Sequence, residues 1–495
     1  MMDADTMVLP RLEPAEVDVE DPWGEDRPPR RRRAAPPRPA TATPRWRLAA
    51  WLVPALLMGA LGLVGAGAPG LRTEELATWR VATSSWRDVW AGLTVGEVTL
   101  APYHLLMRGW AELFGAADLT LRVPSLLAMV AAAALVGALA GRIFAPGTGV
   151  LAGALFAVLP ASTRYAQEAQ PYALALFAAV LATWFLLPAL DRPSLRRLAP
   201  YAGAVVLLGL CHAVALLLLV GHGWVVLAFR RGMAGRWLAA AVLGALPAAA
   251  LLWFGVRDGG HLASGARPDL AALAAAPREL FGVAALGAVL LGLALFSLPL
   301  RYAASVCTAW ALVPPLGLLL LAQAAPVWSP RSLLFTLPAW ATLGAAALSR
   351  MRARWAVAGL VAIALAGAPA HAALRTPDGH GQDTRRVAAI LDGLRQRGDG
   401  VLYGDPGART LVARYVPGDR RPTDVLAAAP PHGCAGCLGE VRRLWVIHPG
   451  ERTDPLPPGD GPTERMLRTA YHVAQVWRPA GFTVALLVNE RGASA

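Results

Sequence analysis

The sequence is poor in charge. Only 16% of its 495 residues are Asp, Glu, Lys or Arg, where an ordinary soluble domain carries about a quarter. That shortage excludes a conventional soluble enzyme of this length. Cysteine is scarce as well: Cys211 and Cys307 lie in apolar runs, and Cys434 and Cys437 form a single CxxC. A lone CxxC lacks the second ligand pair of a structural zinc site, and on an oxidising face it favours a disulfide or a free pair. No metal and no cofactor is expected. There is no Walker-type loop, Rossmann glycine pattern or HExxH segment, which argues against an ATP-driven pump, a cytosolic nucleotide-sugar enzyme and a zinc protease.

What the chain has in excess is hydrophobicity: 56% of residues are apolar and the mean hydropathy is positive. The apolar residues gather in runs of about 20, enough to cross roughly 30 Å of hydrocarbon as helix. We read about eleven spans, at 47–68, 122–143, 148–163, 171–190, 199–211, 213–229, 236–256, 279–298, 302–322, 331–348 and 354–372. The expected fold is therefore an α-helical multi-pass membrane protein with a small C-terminal extracytoplasmic α/β domain.

The net charge of +13 is carried mostly by arginine, in the short gaps between apolar runs. Such clusters follow the positive-inside rule and lack the basic stripe and interleaved aromatics of a nucleic-acid surface. With the N-terminus inside, the inner loops carry Arg142, then Arg192, Arg196 and Arg197, then Arg230, Arg231 and Arg236, then Arg301, and finally Arg350, Arg352 and Arg354. An odd number of spans then places the C-terminal region outside, together with the loop between the first two spans.

Three regions follow. Residues 1–45, rich in Pro and charge and lacking apolar periodicity, read as a disordered cytoplasmic tail, with Arg30–Arg33 as an orientation anchor. Residues 46–372 form the transmembrane domain, including an outer loop at 69–121. Residues 373–495 alternate helical patterns (Thr384–Arg397, Gly407–Tyr415, Thr463–Tyr471) with β-branched apolar runs (Gly400–Tyr403, Leu444–His448, Val473–Trp477, Thr483–Val488), the signature of a small α/β domain.

The outer loop is the chemically informative stretch. It holds Glu74, Glu75, Asp88 and Glu97, and Trp79, Trp86, Trp90 and Trp110 crowd it and the helix that follows. Tryptophans at a membrane face are ordinary interfacial anchors, and Pro102–Phe114 reads as an amphipathic helix lying in the interface. Ionisable groups there are expensive and by default point to function, although a loop also needs charge simply to stay wet. Glu74 and Glu75 are adjacent, so on a helix they point about 100° apart and one site uses only one of them. His212 and His222 sit in apolar runs and read as satisfied interior histidines rather than ligands.

Further motifs follow in order: Glu74-Glu75-Leu76-Ala77-Thr78-Trp79, Glu97 before Pro102-Tyr103, Leu113-Phe114-Gly115, Arg122-Val123-Pro124-Ser125, and Arg164-Tyr165-Ala166-Gln167-Glu168-Ala169-Gln170-Pro171-Tyr172. Together they resemble the polytopic C-type glycosyltransferases that use polyprenyl-phosphate sugars, in particular the bacterial family-39-like, protein-mannosyltransferase-related branch. The resemblance covers about residues 47–372. It implies transfer of mannose or a similar sugar from a polyprenyl-phosphate carrier to an acceptor hydroxyl of a glycan, lipid or protein. The transfer would take place at the outer face of the cell membrane, with inversion and no cofactor.

Glu74 matches the family's catalytic Asp and would be the general base, with Glu75 next in line and Glu97 the second acidic position. Arg331, in Trp328-Ser329-Pro330-Arg331-Ser332, matches the phosphate-binding Arg; its bland reading is a snorkelling interfacial side chain. Arg164, His104, Tyr103, Glu168 and Tyr172 are the remaining substrate-binding candidates. The sequence departs from the pattern in having Glu for Asp at 74 and 97, and Gln170 where the family often has Arg. An added methylene moves a carboxylate by roughly 1 Å, enough to matter for rate. The alternatives are a lipid or sugar transporter or flippase, although no two-fold repeat is visible, and a non-catalytic scaffold descended from the enzyme.

Overall fold

The computed structural model describes residues 44–92, 98–257, 267–297, 304–427, 438, 441–457, 459 and 461–489. The N-terminal tail, Glu97 and the CxxC pair lie outside the described residues.

The first span, α1 (Pro44–Leu63), leads into an outer loop that folds as α2 (Thr73–Thr83), α3 (Trp86–Gly92) and α4 (Ala101–Phe114). On α4 the apolar face of Tyr103, Met107 and Ala111 is buried while Leu106, Leu113 and Phe114 stay exposed, as an interfacial helix requires. The membrane domain continues with α5 (Asp118–Ile143), α6 (Pro146–Ala157), α7 (Pro160–Ala166), α8 (Tyr172–Asp191), α9 (Leu195–Cys211), α10 (Leu218–Phe229) and α11 (Ala234–Arg257). It closes with α12 (Leu270–Phe281), α13 (Ala284–Phe296), α14 (Ser305–Ala324), α15 (Leu337–Leu348) and α16 (Ala353–Ala373).

Among the described residues, six helices are long and apolar enough to cross a membrane, or up to eight if two bent pairs each count as one span. The sequence reading has about eleven spans, and two of the expected runs contain bends in the structure. The run expected at 148–163 bends by 67° between α6 and α7, where Pro160 opens the second helix and its fixed φ suits a first helical position. The run expected at 279–298 bends by 83° between α12 and α13. There Gly282 adopts φ +84°, and a Cβ on it would lie 2.8 Å from the Pro160 Cβ. The two breaks therefore pack against each other. The protein is a multi-pass membrane protein whose helices α1, α11 and α16 expose apolar side chains such as Leu56, Leu243 and Leu365 to lipid, while α5 and α8 form its interior.

The remaining chain builds the α/β region. Helices α17 (Thr384–Leu394), α18 (Pro406–Tyr415) and α19 (Pro462–Ala470) accompany β1 (Gly400–Tyr403), β2 (Thr423–Asp424), β3 (Arg443–Pro449), β4 (Tyr471–Trp477) and β5 (Phe482–Asn489). The sheet runs β2-β1-β3-β5-β4, with β1 parallel to β2 and β3, and β5 antiparallel to β3 and β4. Strand alternation sends Leu402, Leu444, Val446, Ala485 and Leu487 to one face, where Leu467 of α19 covers them. The other face, with Val401, Trp445, Ile447 and Val484, shares a single core with α17, α18 and Leu71, Leu76, Tyr103, Met107 and Leu121 of the membrane domain. The outer loop and the sheet are thus welded by hydrophobic burial.

Valine at position 282 is expected to lower the thermal unfolding midpoint of the solubilised protein. It would impose a left-handed backbone on a β-branched residue, at about 1–3 kcal/mol, and press on Pro160. Alanine at Gly292, which faces open space, should leave the midpoint unchanged. Equal midpoints for the two variants would remove Gly282 as the cause of the break.

Candidate active site

The site begins at the start of α2. Arg72 is its N-cap residue with extended backbone, and Glu74 and Glu75 lie in the first turn, where carboxylates oppose the positive end of the helix dipole. The helix then separates the two acids. Glu75 turns inward and is 1% exposed. Its oxygens accept from Arg122 Nε (2.9 Å) and Nη2 (2.8 Å), from the Ala169 N–H (2.8 Å) and from the Arg72 N–H (3.0 Å). Arg122, equally buried, gives its remaining hydrogens to the carbonyls of Ala66, Pro69 and Gly70. Glu75 is thus buried in a polar pocket with both oxygens occupied by donors.

Glu74 turns outward, its side chain 45% exposed. It lies in a chain of charges: Arg331 Nη1 to Glu74 (3.2 Å), Arg72 Nη2 to Glu74 (3.3 Å), Arg72 Nη1 to Glu168 (3.3 Å) and Arg164 Nε to Glu168 (3.0 Å). Three guanidiniums face two carboxylates, so the chain carries one unbalanced positive charge. Burial would raise the Glu168 carboxyl, but Arg164 and Arg72 overcome it and hold the group down to about 2. Burial would likewise lower the Arg331 guanidinium, and Glu168, Tyr165 and Glu74 push it up instead, so it stays charged. Arg331 spends one nitrogen on Glu74 and makes no other hydrogen bond among the described residues.

Arg331 stands on a 3₁₀ turn, Pro330–Thr336, that leads into α15. Arg331 and Arg164 line a cavity of about 690 Å³, together with Tyr165, Arg278, Glu279 and the apolar Pro160, Val283, Ala370 and Leu374. The meeting of the two helix breaks supplies its Pro160, Gly282 and Val283 wall. A cationic end with apolar walls suits an anionic head on a hydrocarbon chain.

The other sequence candidates fall around this centre. Tyr103 is buried on α4, and His104, also buried, packs beside it with ring centroids 6.2 Å apart. Tyr172 lies against Tyr165 (5.9 Å) and His212 (5.2 Å). Gln170 donates to the Glu74 carbonyl (2.8 Å), so it braces the helix rather than offering a charge. Thr78 of the Thr-Trp pair holds the Ala169 carbonyl (3.1 Å), and Trp79 carries Arg414 over its ring. His222 is satisfied by Thr183 and Tyr201, both at 3.2 Å.

Sequence reasoning gave no role to Arg72, Arg278 or His380. Arg122 sits inside a motif already quoted and Arg72 two residues before another, but nothing local distinguishes a site arginine from an anchor. His380 arrives from beyond α16, is 1% exposed, and neither ring nitrogen has a hydrogen-bond partner among the described residues. Burial lowers it to about 4, and Arg122 and Arg164 act in the same direction against Glu168 and Glu75.

Residues 102–253 match the family described as dolichyl-phosphate-mannose-protein mannosyltransferase. The structure superposes on ArnT from Cupriavidus metallidurans bound to undecaprenyl phosphate with a TM-score of 0.52, at 11% identity over 90% of this chain and 98% of that one. The apo form of ArnT gives 0.50 at 14% identity, over 86% and 96%. The oligosaccharyltransferase of Archaeoglobus fulgidus, also apo, gives 0.51 at 12%, over 83% and 70%. The chain shares the fold of these membrane proteins, and part of it matches that family. No curated protein matches the sequence itself. The segment matched by the family runs from α4 to α11 and includes Arg122, Arg164 and Glu168, whereas Glu74 and Arg331 flank it on either side.

Two outcomes follow. Glu75→Gln should cost about 3–5 kcal/mol, since it strands Arg122 as a buried charge, and should be read as a large fall in unfolding midpoint; a midpoint equal to wild type would deny the anchor. His380 makes stability pH-dependent, because its folded value lies below the 6.5 of the unfolded chain. Its contribution is full above about pH 6.5 and is lost progressively as pH falls toward about 4. Melting curves between pH 7 and 4 should show this, and His380→Gln should flatten them.

Proposed function

We propose that the protein transfers a hexose, mannose or a close relative, from a polyprenyl-phosphate carrier to an acceptor hydroxyl, with Glu74 as general base. The observation that carries this reading is the contact between Glu74 and Arg331, which itself lines the arginine-bearing cavity. It sets a partly exposed carboxylate beside a cation with donors to spare. A polyprenyl-phosphate sugar is a phosphodiester with a single negative charge, which matches the one unbalanced guanidinium. Arg331, Arg164 and Arg278 would hold the phosphate, and the apolar wall of Val283, Ala370 and Leu374 would receive the first part of the lipid.

Glu74 takes the proton from the acceptor hydroxyl as its oxygen bonds to the anomeric carbon. The bond from that carbon to the phosphate oxygen breaks on the opposite side, which inverts the configuration. Polyprenyl phosphate leaves with the electron pair and is stabilised by the arginines. The names of the matched family and of the ArnT complex support the choice of a mannose-like sugar and a polyprenyl carrier. The acceptor is a hydroxyl of a glycan, lipid or protein.

We also propose that the site faces the cell exterior. Helix α5 is about 39 Å long at 1.5 Å per residue and separates Asp118, beside the sheet, from Arg142. Arg142 pairs with Asp191 (3.1 Å), and Arg230 donates to the Leu190 carbonyl at the same end. That arginine-rich end fits the cytoplasmic face.

Glu74→Gln should lower transfer from radiolabelled mannosyl polyprenyl phosphate by about 10²–10⁴-fold while leaving the unfolding midpoint in place. Undiminished transfer would remove Glu74 from the role of base. Arg331→Lys should retain part of the activity of the native residue and Arg331→Ala almost none, because a point charge replaces only half of a bidentate fork.

A further inference from the structure

We propose that the strap joining the last span to the sheet, residues 375–385, is part of the catalytic apparatus, with Gln382 as a positioning residue for Glu74. The inference rests on the reading of Glu74 as the base. It starts from the way α2 begins. The first N–H groups of any helix lack intrahelical acceptors, and α2 has Arg72 at its N-cap with no side-chain cap of its own. The missing acceptors come from far along the chain. Gln382 Oε1 accepts from the Thr73 N–H (2.8 Å) and from Thr73 Oγ1 (3.0 Å). Tyr415 Oη accepts from the Leu71 N–H (2.7 Å). The N–H of the N-cap residue Arg72 is served locally, by Glu75.

Thr73 is the residue immediately before Glu74, so its carbonyl-to-amide plane sets where the Glu74 side chain departs. Gln382 holds that residue at two atoms. Gln382 is itself confined: Gly481, at φ +74°, packs so closely that a Cβ there would lie 2.7 Å from the Gln382 Cγ. The strap is pinned on either side of it. Arg375 Nε donates to the Val64 carbonyl (3.3 Å), Asp383 N–H donates to the Ala480 carbonyl (2.9 Å), and Arg385 reaches the Gly67 and Ala68 carbonyls (both 3.2 Å) and Asp118 (2.8 Å). Gly379, three residues before Gln382, lines the arginine cavity. One short segment thus forms a wall of the donor cavity and caps the helix that carries the base. The sheet beyond it acts as the buttress that keeps this cap in register.

The displacement that matters is small, since a shift of about 1 Å in a catalytic group can cost a hundredfold in rate. The experiment uses the full chain in detergent with radiolabelled mannosyl polyprenyl phosphate as donor and reads release of polyprenyl phosphate. Gln382→Ala should lower kcat at least tenfold and leave the donor KM within about twofold, the pattern of a lost transition-state alignment. Gln382→Glu, which keeps the acceptor oxygen, should recover most of kcat. If alanine lowers the unfolding midpoint, Gln382→Met takes its place, since it keeps the chain length and removes only the acceptor. A wild-type kcat in the acceptor-free variant, a loss that tracks only the unfolded fraction, or a Gln382→Glu variant as impaired as alanine would each overturn the proposal. Glu74→Gln, measured alongside, separates the two claims. Full activity there overturns the base assignment, whereas an inactive Glu74→Gln with an unaffected Gln382→Ala overturns the positioning role alone.

Discussion

The geometry of the outer face depends on one buried ion pair. Arg122 has five N–H groups, and all five are taken: two by Glu75 and three by the carbonyls of Ala66, Pro69 and Gly70. Burying a carboxylate and a guanidinium is costly, and only near-complete hydrogen bonding offsets the loss of water. Here the requirement is met from four stretches of chain at once: the end of the first span, the start of α2, the head of α5, and the Glu168–Ala169 turn. The pair is therefore less a source of net stability than a device that admits one arrangement of these segments. Any slip would orphan a charge.

That arrangement explains why two adjacent glutamates have opposite fates. A helix rotates successive side chains by about 100°. Once Glu75 is drawn to Arg122, Glu74 must emerge toward Arg331. The inner residue fixes the outer one, and the C-terminal region holds the start of α2 through Tyr415, Gln382 and the shared apolar core. Asp118 completes the clamp by accepting from Arg385 (2.8 Å), Arg414 (2.7 Å) and Tyr415 (2.8 Å). Membrane helices, surface loop and sheet thus meet in one polar and apolar joint.

Much of this was legible in the sequence, and the limits have physical causes. Apolar runs announced the membrane domain, and period-two and helical patterns located β1, β3, β4, β5 and α17–α19, because burial on a sheet or helix face imposes those periods directly. Helix breaks were not legible, since Pro160 and Gly282 interrupt predominantly apolar runs and it is their mutual packing that makes them bends. Glu74, Arg331, Arg164 and Glu168, all named from the sequence, lie in one chain of ion pairs with Arg72. Gln382 and His380 gave no signal. Gln382 meets Thr73 across 309 residues of sequence, a contact that no local pattern encodes. The two-residue strand β2 was likewise too short to register.

The Arg331–Glu74 pair has a consequence for the proposed chemistry. The guanidinium that a donor phosphate would need is held by the carboxylate that the acceptor would need. Phosphate can take over Arg331 without stranding Glu74, because Arg72 remains 3.3 Å from the same oxygen. Arg331 in turn exchanges one anion for another and is never left unpaired. Unit charges 4 Å apart near a protein surface interact by about 4 kcal/mol at an effective dielectric of 20; trading one such partner for another costs far less than losing one. Donor arrival would then free a lone-pair direction on Glu74 at the moment a hydroxyl needs it. On the proposed reading of Glu74 and Arg331, this exchange would favour an order of binding, donor before acceptor. The only parts this order requires are one arginine shared between two anions and a second arginine that stays behind.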